Sequence, residues 1–372
     1  MQKIFRVLGI ESSCDESAAS VVTSDKQILS NIVMSQFKDH MPYQGIVPEI
    51  AARKHLTNVE LCISQALSQS SLTLEDIDAI SVTSGPGLIG SLIVGVMYAK
   101  ALAHVAKKPL ININHLEGHI LTSRLTNDLE YPFLVLLLSG GHTQFVLVKD
   151  FDDYKVIGQT IDDAAGECFD KAAKMMGLGY PGGPMIEKLA REGDKTKYSL
   201  PLPMSTIDSS DMSFSGLKTA VKNLIYEIAS SSSSSKLNSS NSNSSKLNNP
   251  ELTFEEKCDI SASLQHCIAK ILSIKTKKAL QIARQIHARQ IHNPQINTLV
   301  LAGGVAANQY IKNYISEFLS PDCKIISPPI DLCTDNAAMI AWAGIERIKK
   351  FPYILNQEVL TDNKQLNPNL KL

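Results

Sequence analysis

Apolar positions along the chain fall into short dense runs separated by polar, glycine-rich punctuation, and the order of those runs repeats. Ile4 to Ile10 is an apolar run of strand length, the polar stretch Glu11-Ser12-Ser13-Cys14-Asp15-Glu16-Ser17 turns it, and Val21, Val22 and Thr23 supply a β-branched return. This pattern predicts a hairpin with an acidic, hydroxyl-rich tip. From Pro48 to Gln69 the apolar residues Ile50, Leu56, Val59, Ile63 and Leu67 recur at helical spacing. Ala79 to Thr83 reads as a strand, Ser84 to Gly90 as a glycine-rich turn, Ser91 to Val105 as a helix, and Pro109 to Asn112 as a strand that delivers the chain to a helix near His115.

The pattern then starts again. Pro132 to Leu138 is a strand, Ser139-Gly140-Gly141-His142 a turn and Thr143 to Val148 its return, a second hairpin. Ala164 to Met176 is helical with Gly177 placed to stop it, and Gly179-Tyr180-Pro181-Gly182-Gly183-Pro184 reads as a rigid loop before another helix. Asn297 to Leu301 is a strand running into Ala302-Gly303-Gly304-Val305-Ala306-Ala307-Asn308, which opens a helix, and a strand at Lys324 to Ser327 precedes a last helix from Cys333-Thr334-Asp335-Asn336 through Glu346. Two hairpin-led units in succession predict two related α/β lobes of mixed sheet flanked by helices, with an active-site cleft between them. The divisions expected are 1–130 for the first lobe, with 335–350 packing back on it, and 131–334 for the second. Residues 230–249, rich in Ser and Asn and without periodicity, read as a disordered insertion, and 351–372 as a polar tail.

Bulk properties narrow the class. A chain of 372 residues with 44% hydrophobic content suffices for two cores, and a formal net charge of -1 leaves nucleic-acid contact to a local patch or a partner. Seven cysteines without a Cys-x-x-Cys pair fit a reducing, cytoplasmic setting and argue against a cysteine zinc site. The apolar stretch Leu88 to Ala106 is interrupted by Lys100 and His104, which reads as a buried helix and excludes a membrane span. Between Ile260 and Ser316 there is no acidic residue, while Lys270, Lys275, Lys277, Lys278, Arg284, Arg289 and Lys312 are present. A solvated helix face and a phosphate-backbone contact both account for that run. The adjacent repeat 283–287 and 288–292 is too short for a repeat architecture.

The stretch Asn114-His115-Leu116-Glu117-Gly118-His119 carries the sharpest chemistry. On one helix the two imidazoles lie about 40° apart, and Glu117 faces about 200° away from His115. A metallopeptidase of the zincin pattern needs its glutamate directly after the first histidine, so the pair is either a metal site of another kind or a coincidental pair near a helix start. The glycines of Ser84 to Gly90 serve either as a phosphate cradle or as close packing of helix on sheet.

Ten segments in order resemble one family over nearly the whole chain, excepting the Ser/Asn run and the residues after Lys350. They are Gly9 to Glu16, Ser84 to Leu88, His115 to His119, Ser139 to Gln144, Asp162 to Glu167, Phe169-Asp170-Lys171, Tyr180 to Gly183, Phe214 to Thr219, Gly303 to Asn308 and Cys333 to Asn336. The chain is similar to the tRNA N6-adenosine threonylcarbamoyltransferases, once called O-sialoglycoprotein endopeptidases, of the actin-like, RNase H-like fold superfamily. It departs from their pattern at Gln44, at Ala306 and in the insertion.

The resemblance implies transfer of a threonylcarbamoyl group from threonylcarbamoyl-AMP to N6 of adenosine 37 in tRNAs reading codons that begin with adenine. It implies one iron ion per subunit, with zinc suited equally by ligand type, held by His115, His119 and Asp335. It implies adenylate contacts at Leu137, Leu138, Ser139, Gly140, Gly141, Asp170, Gly183 and Asn308. His142 is either a further ligand or a donor behind one. Asp15, Glu16 and Glu167 are the acidic candidates for a general base, none singled out. The implied partners are tRNA, a TsaB-like paralogue and a small TsaE-like ATPase, with no membrane. An ATPase or sugar kinase of the same fold, which leaves the two histidines and Asp335 without a purpose, and an inactive paralogue, against which that ligand set speaks, are the competing readings.

Overall fold

The computed structural model describes residues 4–234, 252–288, 296–319, 321, 323–356 and 366–372. Two compact units emerge, one comprising 1–133, 148–155 and 326–372, the other 134–147 and 156–325. In chain order the elements are β1 (Arg6–Glu11), β2 (Glu16–Thr23), β3 (Ile28–Ser35), α1 (Phe37–His40), α2 (Pro48–Ser70), β4 (Ala79–Gly85), α3 (Ile89–Ala106), β5 (Leu110–Asn114) and α4 (His115–Thr126). There follow β6 (Phe133–Leu138), β7 (Thr143–Asp150), β8 (Asp153–Gln159), α5 (Ala165–Met175), α6 (Gly182–Ala190), α7 (Ser215–Ser234), α8 (Phe254–Ala288), β9 (Thr298–Ala302), α9 (Gln309–Leu319), β10 (Lys324–Ile326) and α10 (Ala337–Lys350).

The strands form two five-stranded sheets, ordered β3-β2-β1-β4-β5 and β8-β7-β6-β9-β10. The order is the same in each, so the repetition read from the hydrophobic runs is a repetition of topology. In the first sheet β1 pairs antiparallel with β2 and parallel with β4, and β4 pairs parallel with β5. In the second, β6 pairs parallel with β9. This mixed α/β arrangement is the actin-like fold class expected.

Each hairpin gains a third strand that the apolar pattern does not announce. β3 and β8 lie at sheet edges, and their side chains are mostly half-buried or exposed. An edge strand buries little, so its sequence needs no strict alternation.

Within the first unit, Leu8, Ile10, Val21, Val59, Ile63, Val82 and Leu110 form a buried cluster between the sheet and helices α2 and α3. Helix α10 covers the other face and is apolar nearly all round, Trp342 included. Small residues let it lie close: a Cβ on Gly9 would meet the Ala337 carbonyl at 2.3 Å, and one on Gly344 would meet Ser81 Oγ at 2.7 Å. Helix α3 has the length and composition of a membrane span, and a third of it is buried. It is buried on one face only, through Leu92, Gly95, Ala99 and Ala103, while Ile89, Ile93, Met97 and Val105 are exposed. Within the second unit, Leu134, Leu136, Phe145, Phe169, Phe214, Leu264 and Leu301 belong to one core cluster. Each such side chain contributes about 2 kcal/mol of burial.

Four expectations need correction or restriction. Helix α7 continues through Ser234, so the first five residues of the 230–249 run are helical, and residues 235–249 lie outside the described residues. Gly182 and Gly183 belong to the first turn of α6 and not to the loop before it, because Pro181 already serves as the cap. Lys275 neither lines a solvated face nor faces a phosphate: it is buried, and its ammonium donates to the carbonyls of Ile207 and Ser209 at 3.1 and 2.7 Å. Of the short repeat, Arg289 and the rest of the second copy after Ala288 lie outside the described residues.

Candidate metal centre and substrate residues

Two helix N-termini of the first unit build the centre. Asn114 caps α4, its side-chain oxygen accepting from the amides of Leu116 (2.8 Å) and Glu117 (3.4 Å), so the helix opens on His115 itself. Asn336 caps α10 by accepting from Met339 N at 3.1 Å, which leaves Asp335 just ahead of that helix. The helices approach closely where Gly118 stands, since a Cβ there would lie 2.9 Å from Ile340. As a result Asp335 Oδ1 is 3.1 Å from His119 Nε2 and 3.5 Å from His115 Nε2. One ligand atom from each of the three lies within 4.8 Å of the others, a group that can hold a metal ion.

The donor chemistry fits. Two imidazole nitrogens and one carboxylate oxygen converge as in the two-histidine, one-carboxylate sites of divalent transition metals. Behind His115, Glu11 Oε2 lies 3.0 Å from Nδ1. A ligating histidine characteristically gives its second ring N–H to such a carboxylate, which turns Nε2 to the metal. Ser13 Oγ also lies 3.1 Å from that Nδ1. His119 Nδ1 is buried and has no hydrogen-bond partner among the described residues. Its ring is set by packing and by an edge-on contact with His115, with centroids 4.8 Å apart.

Electrostatics tie these groups together. Burial pushes Asp335 upward, but His115 and His119 outweigh it and hold its carboxyl far below the usual range. Burial alone would lower His115; the carboxylates of Asp335 and Glu11 raise it well above its ordinary value. Glu11, opposed by burial, is kept low by His115. Glu117 points away from the centre, as its helical position requires: it accepts from Tyr154 Oη at 2.9 Å and from Arg347 at 3.3 Å, fastening α4 to α10.

The three acidic candidates stand in different surroundings. Asp15 is buried at the β1–β2 turn. Beside it Glu16 is pushed up to about 10 by burial, then by the charges of Asp335 and Asp15. Glu167, on α5 of the second unit, is paired with Lys171 at 2.6 Å.

The adenylate candidates all lie in the second unit. Leu137 and Leu138 are buried in β6, and Ser139 closes the turn to β7 by accepting from His142 N at 3.0 Å. Gly140 and Gly141 are exposed at that turn, and a Cβ on either would meet nothing within 4 Å; the same holds for Gly183. Asp170 accepts from the amide of Gly182 at 2.7 Å, capping α6. Asn308 caps α9 through Ile311 N at 3.0 Å and donates to Gln265 at 2.8 Å. Its side chain therefore has a structural task.

Two features escaped sequence reading. Glu11 lies in a quoted segment, but nothing in its spacing marks it as the partner of a histidine 104 residues later. Residues 366–372 are not simply a polar tail. Leu366 packs with the first unit's core, Asn367 N donates to Ser84 O (2.9 Å), and Gly87 N donates to Pro368 O (3.1 Å). With Leu88 N given to Ser13 O (2.8 Å), the amides of Gly87 and Leu88 in the Ser84–Gly90 turn serve packing.

Comparison with known proteins shows the family. A family model for tRNA N6-adenosine threonylcarbamoyltransferase matches residues 27–342. The enzyme of that name from Orientia tsutsugamushi (strain Ikeda) is 48% identical over 344 residues, covering 92% of this chain and 94% of the relative. The one from Rickettsia bellii (strain OSU 85-389) is 50% identical over 343 residues, covering 92% and 93%. Among solved structures, HypF of T. kodakarensis superposes with a TM-score of 0.56 at 13% identity over 95% of this chain and 50% of its own, a likeness of fold alone. The chain belongs to the tRNA N6-adenosine threonylcarbamoyltransferase family, and it is a transferase.

Proposed function

We propose that the chain transfers the threonylcarbamoyl group of threonylcarbamoyl-AMP to N6 of adenosine 37 in tRNAs that read codons beginning with adenine. N6 attacks the carbamoyl carbon, the bond from that carbon to the phosphate oxygen breaks, AMP departs, and N6 loses a proton. Adenosine 37 lies in a loop, so presenting its N6 requires no opening of a base pair. The observation that carries the reading is the convergence of His115, His119 and Asp335 in a chain whose relatives are named tRNA N6-adenosine threonylcarbamoyltransferase. Those three residues hold iron in this proposal, and zinc suits the same donors. Bound there, the ion is a Lewis acid that offsets negative charge developing on the carbamoyl oxygen.

The chain's own residues do the rest. Glu11 holds the Nδ1 proton of His115, so that Nε2 presents a lone pair. The backbone amides of the exposed residues Gly140 and Gly141 bind phosphate, Gly183 admits the nucleotide because no side chain stands there, and Asp170 accepts from ribose hydroxyls. Leu137, Leu138, Ser139 and Asn308 shape and brace that surface. Asp15 and Glu167 remain the acidic residues proposed to accept the N6 proton, whereas Glu16, pushed up to about 10, holds its own proton. With the chain's slight net charge, tRNA is gripped jointly with a TsaB-like paralogue and a TsaE-like ATPase, in the cytoplasm.

The test supplies threonylcarbamoyl-AMP, both partners and unmodified tRNA to the purified chain and measures the modified nucleoside. The proposal expects modification at adenosine 37 that is lost in His115→Ala and His119→Ala. ATP turnover without tRNA or partners, indifferent to loss of both histidines, would favour a kinase-like activity instead.

A further inference from the structure

We infer that residues 366–372 are a positioning strap for the metal centre, acting through the cap of helix α4. The segment is built to dock. Asn367-Pro368-Asn369-Leu370 forms a tight turn, with Leu370 N donating to Asn367 O at 3.1 Å and Asn369 N to Asn367 Oδ1 at 2.9 Å. Leu366 anchors it in the first unit's core. Its backbone then binds two neighbouring strand ends: β4 through Ser84 O and Gly87 N, and β5 through Asn114, whose Nδ2 donates to Lys371 O at 3.2 Å. Gly85 and Asn114 are register partners across β4 and β5. The β4 end is shaped for its visitor, because a Cβ on Gly85 would lie 1.8 Å from Asn367 O.

The consequence for the metal follows from the geometry of an amide. Asn114 Oδ1 caps α4 by accepting from Leu116 and Glu117, and its Nδ2 is the half tied to Lys371. A carboxamide has one donor end and one acceptor end, so a carbonyl fixed at Nδ2 forces Oδ1 toward the helix. His115 is the residue directly after that cap. The strap therefore fixes the first turn that aims one ligand, from a position outside the matched family segment at 27–342. Asn114 and the strap are positioning elements; neither touches the ion.

The inference rests on the proposed metal site, and the experiment separates the two. Zinc affinity of the metal-free full chain is measured by competition with a chromogenic chelator, beside a chain lacking residues 366–372, Asn114→Ser, and the two combined. Amide hydrogen exchange at Leu116 and Glu117 is read in each. The serine keeps a cap acceptor but has no amide donor to offer Lys371. The truncated chain and N114S are each expected to bind zinc about tenfold more weakly, at the low end of the range for residues that orient ligands. Exchange at the two amides should quicken, and the combined variant should be no worse than truncation alone. Unchanged affinity and exchange on truncation overturn the strap, as does full additivity of the two changes. A full chain that binds no zinc or iron, with exchange still quickened by truncation, overturns the metal reading and leaves the strap as a cap device. Circular dichroism of each variant identifies loss of folding, in which case N114S in the full chain decides.

Discussion

The turn between β1 and β2 and the turn between β6 and β7 hold the same place in two sheets of identical strand order, and they are filled differently. The first is closed. Glu11 lies inside it, accepting from Ser13 N at 2.5 Å and from Thr83, and reaches His115 at 3.0 Å; Asp15 beside it is buried. The second is open, with Gly140 and Gly141 exposed and free of neighbours at the Cβ position. The strand-to-helix turns, by contrast, are both packed, each against a different neighbour. The amide of Gly87 after β4 is taken by residue 368, whereas Gly303 after β9 is pressed against the Leu138 carbonyl, 2.4 Å from where a Cβ would stand. One topology, used twice, thus gives a unit whose hairpin turn is packed behind a His-His-Asp group that can hold a metal ion and a unit whose hairpin turn is bare.

Removing a ligand should break the comparison most severely. Asp335→Ala deletes the oxygen shared by both histidines, and metal affinity is expected to fall by more than about a hundredfold, beyond the range for residues behind the ligands, with transfer lost. Metal content by atomic absorption and nucleoside analysis of tRNA check both. Next comes Glu11→Gln. Oε1 is held by the Ser13 amide, so the new amide nitrogen falls where Oε2 faced His115 Nδ1. It donates to that nitrogen and moves the histidine proton to Nε2, where the metal should bind. Affinity should drop about 10- to 100-fold with no change of fold, measured by isothermal titration. In the second unit, Gly140→Val meets no neighbour and should fold normally, yet it crowds the bare turn. The expected effect is about a tenfold rise in KM for threonylcarbamoyl-AMP with metal affinity untouched. Loss of metal in G140V, or a raised KM alone in E11Q, would erase the division of labour between the turns.

What the sequence made legible follows from the range of the forces involved. The repeated hairpin shows because β1 and β6 are buried central strands whose apolar runs are local. β3 and β8 do not show, because most side chains of these edge strands are half-buried or exposed. The histidine pair is one helical turn apart and visible from spacing, and the direction of Glu117 follows from the same rotation. Asp335, 216 residues from His119, is assigned by resemblance, and only folding brings their atoms to 3.1 Å. The burial of Lys275 and the docking of residues 366–372 are tertiary events on polar sequence, where composition argues for solvent. Asn308 and Asp170 are the instructive middle case: each is a polar residue that composition cannot divide between cap and ligand contact, and each is found capping a helix.

The smallest expected effect concerns the acid side of the same contrast. In the second unit the exposed Asp162 caps α7, accepting from Phe214 N at 2.8 Å, Ser215 N at 3.3 Å and the hydroxyls of Ser213 and Ser215. Burial raises its carboxyl, but these hydrogen bonds prevail and its pKa lies below the usual value. A carboxyl depressed in the folded state contributes stability that is present above the unfolded value near 4 and is lost as pH falls through the folded value. Solvent screens an exposed group, so the contribution is that of an ordinary helix cap, about 1 kcal/mol. Asp162→Asn should cost less than that at pH 7, since an amide oxygen still caps, and should flatten the acid limb of amide exchange in the first turn of α7. The buried Glu11 and Asp335 are depressed for another reason, the charge of His115, so acid should disrupt the first unit's centre by removing an ion pair. If D162N altered exchange at Leu116 and Glu117 as well as in α7, the two units would not titrate independently, and the contrast between their turns would lose its meaning.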